Sequence, residues 1–186
     1  MQKIILASGS PRRKQLMEWA EINFEIICPE TDESFPENIS FEEAVVHIAK
    51  NKALAVIEES DPSFIVLAAD TMVVCNDQQI GKPKDRGDAI RILNLLSGNM
   101  HKVITGVYLK STDHVISFSD TTMVEFNEIS NDQIEFYVDK YKPYDKAGAY
   151  AIQEWIGVIG IKFIQGDFYN VMGLPINRVV KALKEM

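Results

Sequence analysis

Ser8-Gly9-Ser10-Pro11-Arg12-Arg13 sets small polar residues, a proline and two guanidiniums side by side. Ser10 suits a helix N-cap and Pro11 the first helical position. Both arginines then fall in the first turn, where the helix dipole already carries partial positive charge. A bound anion offsets that crowding, and phosphate fits best; Ser8 and the loop N–H groups add donors. Asp70 is the strongest candidate for proton transfer. It follows an apolar run at the carboxyl end of a strand, where open α/β sheets place their ligands. The plainer reading is a turn-capping aspartate, although Thr71 follows directly and the chain continues as strand.

Three further groups suit the same chemistry. Lys52 interrupts the inward helical stripe of Phe41, Val45, Ile48 and Val56. It reads either as a snorkelling lysine or as an ammonium aimed at phosphate. Gly81-Lys82-Pro83 offers a close backbone approach, a charge and a stiff loop, a weak pattern taken alone. Glu30, Asp32 and Glu33 read as a solvated loop or, if they lie near Asp70, as oxygen donors for Mg²⁺ or Mn²⁺. Asp145-Lys146-Ala147-Gly148-Ala149-Tyr150 followed by Gln153 is a small-residue loop. Gln153 offers a donor and an acceptor to a base edge, and a tight turn packed by Tyr150 is the alternative.

Other chemistries are poorly supported. There is no P-loop, no Gly-x-Gly-x-x-Gly and no Gly-x-Ser-x-Gly. His47, His101 and His114 share no metal-ligand spacing. Cys28 and Cys75 are far apart and read as reduced thiols. With 186 residues, 46% of them hydrophobic and 25% charged, the chain has ordinary globular composition. The net charge of −8 and the lack of a basic stripe speak against nucleic acid as partner. No run is long enough to cross a bilayer and no signal peptide is apparent, so a cytoplasmic protein without membrane partners is expected.

The elements that must position these residues read as follows. Ile4–Ala7 is a buried strand, and the helix after Pro11 has Leu16, Met17, Trp19 and Ala20 on one face. Ser40 and Glu43 form a capping box opening a helix to about Glu59. Phe64–Ala69 is a strand buried on both faces, resumed over Met72–Cys75 and turning at Asn76-Asp77. A helix with Ala89, Ile92, Leu93 and Leu96 stops before Gly98. Lys102–Leu109 and Val115–Ser119 flank a hairpin turn, and Thr121–Phe126 is a further strand. Ser130 with Gln133 caps a helix to about Lys140. Ala151-Ile152 and Gly157–Ile164 read as strands, and Pro175 starts a last helix with Val179, Val180 and Leu183 inward. This order predicts an α/β fold with a mixed, twisted sheet rather than a regular βαβ repeat.

In combination these segments resemble the Maf family of nucleotide pyrophosphatases, related in fold to the inosine triphosphate pyrophosphatases. The matching pieces are Leu6-Ala7-Ser8-x-Ser10-Pro11-Arg12-Arg13, Lys52, Ala69-Asp70-Thr71, Gly81-Lys82-Pro83, Asp145–Tyr150 with Gln153, and Gly166-Asp167 before Val171-Met172-Gly173-Leu174-Pro175. The resemblance implies one domain over 1–186, an elongated mixed sheet in two lobes with the active-site cleft between them. It implies hydrolysis of a nucleoside triphosphate to the monophosphate and pyrophosphate with a divalent cation; the acidic loop suits Mg²⁺ or Mn²⁺, expected to be held in part by Glu33. It assigns Asp70 as proton acceptor, leaving metal ligation by Asp70 open, and ties Arg12, Thr71 and Gln153 to substrate choice. Arg13, Lys52 and Lys82 would neutralise phosphates. Lys146 with Gln153 is similar to the branch preferring dTTP and UTP, whereas Glu154-Trp155-Ile156 replace a glycine-rich stretch of many relatives. Trp155 then narrows a base pocket, stacks on a base or packs against the neighbouring lobe. Relatives imply a homodimer. The competing expectation is a non-catalytic nucleotide-binding regulator of septum formation, which needs the anion site but not Asp70.

Overall fold

The computed structural model describes residues 3–57 and 63–186. Seven strands form one mixed sheet in the order β2-β1-β3-β5-β6-β7, with β4 paired to β3. β1 (Ile4–Leu6) runs parallel to both β2 (Phe24–Ile26) and β3 (Ile65–Cys75). β4 (Gln78–Ile80) is antiparallel to β3, and β5 (Met100–Lys110) turns through Ser111–His114 into β6 (Val115–Phe126). β7 (Ile161–Gln165) is antiparallel to β6. Among the described residues no helix is long and apolar enough to cross a membrane.

Local signals account for most helix starts. α1 (Pro11–Trp19) begins at Ser10, whose side chain accepts from the Arg13 N–H. α2 (Phe41–Ile57) opens on a reciprocal capping box: Ser40 N–H donates to Glu43 at 2.8 Å and Glu43 N–H to Ser40 at 3.2 Å. The extension of this helix to Glu59 lies outside the described residues. α3 (Arg86–Leu96) is capped by Asp85 and α4 (Asn131–Tyr141) by the Ser130–Gln133 box. A one-turn 3-10 helix, Ala147–Ala149, precedes α5 (Trp155–Gly160), α6 (Phe168–Met172) and α7 (Ile176–Leu183).

Four expectations change. Asp70 does not end a strand: β3 runs unbroken because it exchanges partners, pairing with β1 as far as Leu67 and with β4 from Val73. The carboxyl end beside Asp70 is that of β1, which stops at Leu6. β6 is one strand, not two. Gly157–Gly160 is helix and Ala151-Ile152 is not strand. A Cβ on Gly157 would lie 1.8 Å from the Ile152 carbonyl oxygen, so the chain folds back there, which an extended strand cannot do. Trp19 is 57% exposed, whereas Leu16 and Met17 carry the buried face of α1.

The chain forms two compact units. The first gathers the described residues up to Thr71 with Thr105–Asp120 and Gly173–Met186; the second holds Met72–Ile104 and Thr121–Met172. Three unit boundaries fall inside β3, β5 and β6, and the fourth follows α6 at Met172. In the first unit Ala49, Ala53 and Val56 of α2 pack on Ile5, Ala7, Val66, Ala68 and Tyr108. Alanines at this contact let the helix backbone lie close to the sheet. In the second unit α3 packs against α4. His101, Phe126 and Tyr150 meet edge to face at 5.0–5.4 Å.

His101 Nε2 and the Tyr150 hydroxyl are 2.8 Å apart, both buried. Burial pushes the imidazole pKa down to about 4 and raises that of the Tyr150 phenol. Between pH 6.5 and about 4 the unfolded chain therefore binds a proton that the native protein refuses. This contribution is whole above pH 6.5 and is lost as pH falls through that window. Wild type should lose about 2 kcal/mol more stability than His101→Phe between pH 7 and 4.5, read by denaturant melts. Equal losses in the two proteins would contradict this role for His101.

Candidate active site

α2, β3 and the segment between β2 and α2 bring three charged side chains to one point in the first unit. Lys52 Nζ donates to Asp70 Oδ1 at 2.7 Å and to Glu33 Oε1 at 2.6 Å. The Lys52 and Asp70 side chains are each 13% exposed, and Glu33 closes the group from the solvent side at 56%. Lys52 lies on the inward stripe because Asp70 awaits it there. The ammonium and the first carboxylate neutralise one another where neither is well hydrated.

Thr71, the next residue of β3, points to the opposite face of the strand and meets α1. Arg13 is buried, and its guanidinium is a three-way clamp. Nε donates to the Gly173 carbonyl at 2.8 Å, Nη1 to Ser8 Oγ at 3.1 Å and Nη2 to Thr71 Oγ1 at 3.0 Å. Thr71 Oγ1 also lies 2.9 Å from Thr105 Oγ1, a hydroxyl buried within β5. Gly173 takes φ 112°, a conformation that favours glycine, and so turns its carbonyl to the arginine. Burial lowers the Arg13 pKa; the nearby Asp70 charge opposes this, Arg12 adds to it and Glu33 opposes it. The fixed fork geometry suits three separately placed acceptors, which a lysine would not match.

This arrangement gives Arg13 a second task. Beside the phosphate contact expected of it, it ties the Ser8 loop to β3 and to Gly173, with three of its five N–H groups. Arg12, half-buried in the same turn, and the α1 N-terminus keep the features suited to an anion. Ser10 N–H donates to Ser8 Oγ at 3.3 Å, so the loop is ordered by its own side chains.

The acidic cluster divides. Glu33 reaches Lys52, whereas Asp32 accepts from the Ser34 hydroxyl and N–H, which hold its carboxyl below the ordinary range. Among the described residues no three His, Cys, Asp or Glu side chains form a metal-binding group. Glu33 and Asp70 nonetheless converge on one cationic position. Two carboxylates fit Mg²⁺ or Mn²⁺ when phosphate oxygens and water complete the shell. Both cysteines are free, Cys28 exposed and Cys75 buried.

Lys82 and Gln153 belong to the second unit, both exposed. The Gly81 carbonyl accepts from Gly148 N–H at 3.2 Å, which joins the Lys82 loop to the Ala147–Ala149 turn. Lys146 is buried between Asp145, at 2.7 Å, and Glu154, at 3.7 Å. Trp155 packs edge-on against Phe136 of α4, within its own unit, with centroids 4.8 Å apart. Sequence reasoning missed Thr105 and the Gly173 carbonyl. A threonine inside the apolar run of β5 was the available signal for the first; nothing local marks the second.

A sequence profile of the Maf family, described as Maf-like protein, matches residues 3–186. The chain is 48% identical over 183 residues to the dTTP/UTP pyrophosphatase of Cytophaga hutchinsonii, covering 98% of this chain and 84% of that protein. It is 44% identical over 185 residues to the dTTP/UTP pyrophosphatase of Bacteroides thetaiotaomicron, covering 99% and 96%. The structure of the Staphylococcus aureus Ham1 protein is similar at a TM-score of 0.51 and 18% identity, covering 98% of each chain, a likeness of fold alone. With the family profile matched across residues 3–186 and relatives at 44% and 48% identity, the chain belongs to the Maf family.

Proposed function

We propose that this protein hydrolyses dTTP and UTP to the nucleoside monophosphate and pyrophosphate, in the cytoplasmic nucleotide pool. The observation that carries the reading is the Glu33–Lys52–Asp70 group beside the α1 anion site. A carboxylate able to take a proton, a cation able to neutralise phosphate and a helix N-terminus suited to an anion occur in one unit. Relatives named dTTP/UTP pyrophosphatase support the substrate class.

In this account Arg12 and the loop N–H groups hold the phosphates, and Lys52 neutralises charge that develops as pyrophosphate leaves. Asp70 orients the attacking water and accepts its proton, its carboxylate held in place by the Lys52 ammonium at 2.7 Å. Arg13 keeps Ser8 and Thr71 in place. A divalent cation, held by Glu33 and Asp70, would supply further neutralisation of the leaving group when bound. Lys82 and Gln153 are assigned phosphate contact and base choice on the family pattern.

The test is pyrophosphate release from a panel of nucleoside triphosphates with Mg²⁺ or Mn²⁺. The expected outcome is turnover highest with dTTP and UTP. Nucleotide binding without turnover would instead match a regulator. Gln153→Glu should change the ranking of dTTP against the other triphosphates by about tenfold in kcat/KM, since an amide donor to the base is lost. An unchanged ranking removes Gln153 from base choice.

A further inference from the structure

Glu154 and Trp155 follow directly on Gln153, and the second unit holds both through α4. The Tyr137 hydroxyl, fully buried, accepts from Ala151 N–H at 3.2 Å and donates to the Glu154 carboxylate. Glu154 N–H closes a turn onto the Ala151 carbonyl at 3.0 Å. One hydroxyl thus holds both ends of the four-residue turn whose outward residue is Gln153. The other Glu154 oxygen lies 3.7 Å from Lys146 Nζ, and Trp155 packs on Phe136, the neighbour of Tyr137. Ile152, inside the turn, is buried, and Gly157 lies close beneath its carbonyl.

We propose that Tyr137 and Glu154 are positioning residues that set base discrimination by fixing the turn that presents Gln153. The proposal rests on the reading of Gln153 given above. Thymine and uracil offer a donor at N3 and an acceptor at O4, and cytosine offers the reverse. An amide separates them only if its support is rigid, because small displacements cost most of such a contact. The anionic Glu154 makes the tie to Tyr137 charge-assisted, and buried Lys146 balances that charge.

The test measures kcat and KM with dTTP and dCTP for wild type, Tyr137→Phe, Glu154→Ala and Glu154→Gln, with a thermal melt of each. Glu154→Ala and Tyr137→Phe should raise KM for dTTP about tenfold, the worth of one charge-assisted hydrogen bond, with kcat changed less than about threefold. KM for dCTP should move far less, so discrimination falls. Glu154→Gln, which still accepts from Tyr137, should recover most of the dTTP KM. A folded Glu154→Ala with wild-type discrimination overturns the proposal, and so does a Glu154→Ala that cannot fold, since Glu154 is then a residue of the fold. Glu154→Ala alone decides the matter if Tyr137→Phe does not fold. Affinity for an α,β-methylene analogue of dTTP separates the two levels. Wild type that binds the analogue but releases no pyrophosphate removes the proposed function, while the affinities of the variants still test the positioning.

Discussion

Asp70→Asn should lower kcat for dTTP by about a thousandfold, the range expected when a positioned base is removed. The substitution preserves shape, and an amide oxygen still accepts from Lys52, so the Lys52 side chain keeps its place. Nucleotide binding should survive, because the α1 turn and its N-terminal donors do not depend on Asp70. The signature is therefore a collapse of kcat with a KM within about threefold of wild type. Full activity in Asp70→Asn would remove Asp70 from the chemistry. Loss of binding with kcat intact would make it a substrate-holding group.

Arg13→Met should be strongly destabilising to the first unit. Methionine fills much of the volume, but three acceptors, on Ser8, Thr71 and Gly173, lose the donor they share and keep only their contacts with Ser10 N–H, Thr105 and each other. Replacing a buried ion by an apolar group is often harmless when its partners are replaced too; here they stay. Allowing for the desolvation of the guanidinium that is no longer incurred, the net loss is about 3 kcal/mol, or roughly 6–12 °C in Tm for a chain of this length. Arg13→Lys should recover only part of it, since an ammonium cannot serve three acceptors arranged around a planar fork. Activity should fall with stability, because Ser8 and Thr71 are then unsupported. A melt of Arg13→Met within about 1 °C of wild type would show that the clamp carries no stability.

Much of the local structure was legible because its causes are local. Ser10-Pro11, Ser40 with Glu43 and Ser130 with Gln133 start helices by satisfying N–H groups within four residues. The apolar runs of β1 and β3 mark strands buried on both faces. Lys52 was legible as a charge on a stripe that should be apolar, and its partner Asp70 as a carboxylate following an apolar run. What escaped reading depends on distant partners. Arg13 is named by its charge, but its clamp role depends on Gly173, 160 positions away, which no local pattern announces. The continuity of β3 past Asp70 depends on β4 taking over from β1. Apolar residues with a β-branched bias over Gly157–Gly160 suggested strand, and the close approach of Gly157 to Ile152 decided for helix. The parts played by Glu154 and Trp155 became intelligible only once α4 supplied Tyr137 and Phe136.

The central claim is that water attacks the α-phosphorus of dTTP. Turnover of dTTP by the wild-type chain in ¹⁸O-labelled water, with Mg²⁺ or Mn²⁺ present and products analysed by mass spectrometry, tests it most directly. The account predicts dTMP and pyrophosphate in equal amounts, with the label in dTMP and none in pyrophosphate. Label in pyrophosphate or in inorganic phosphate, or no turnover at all, would contradict it.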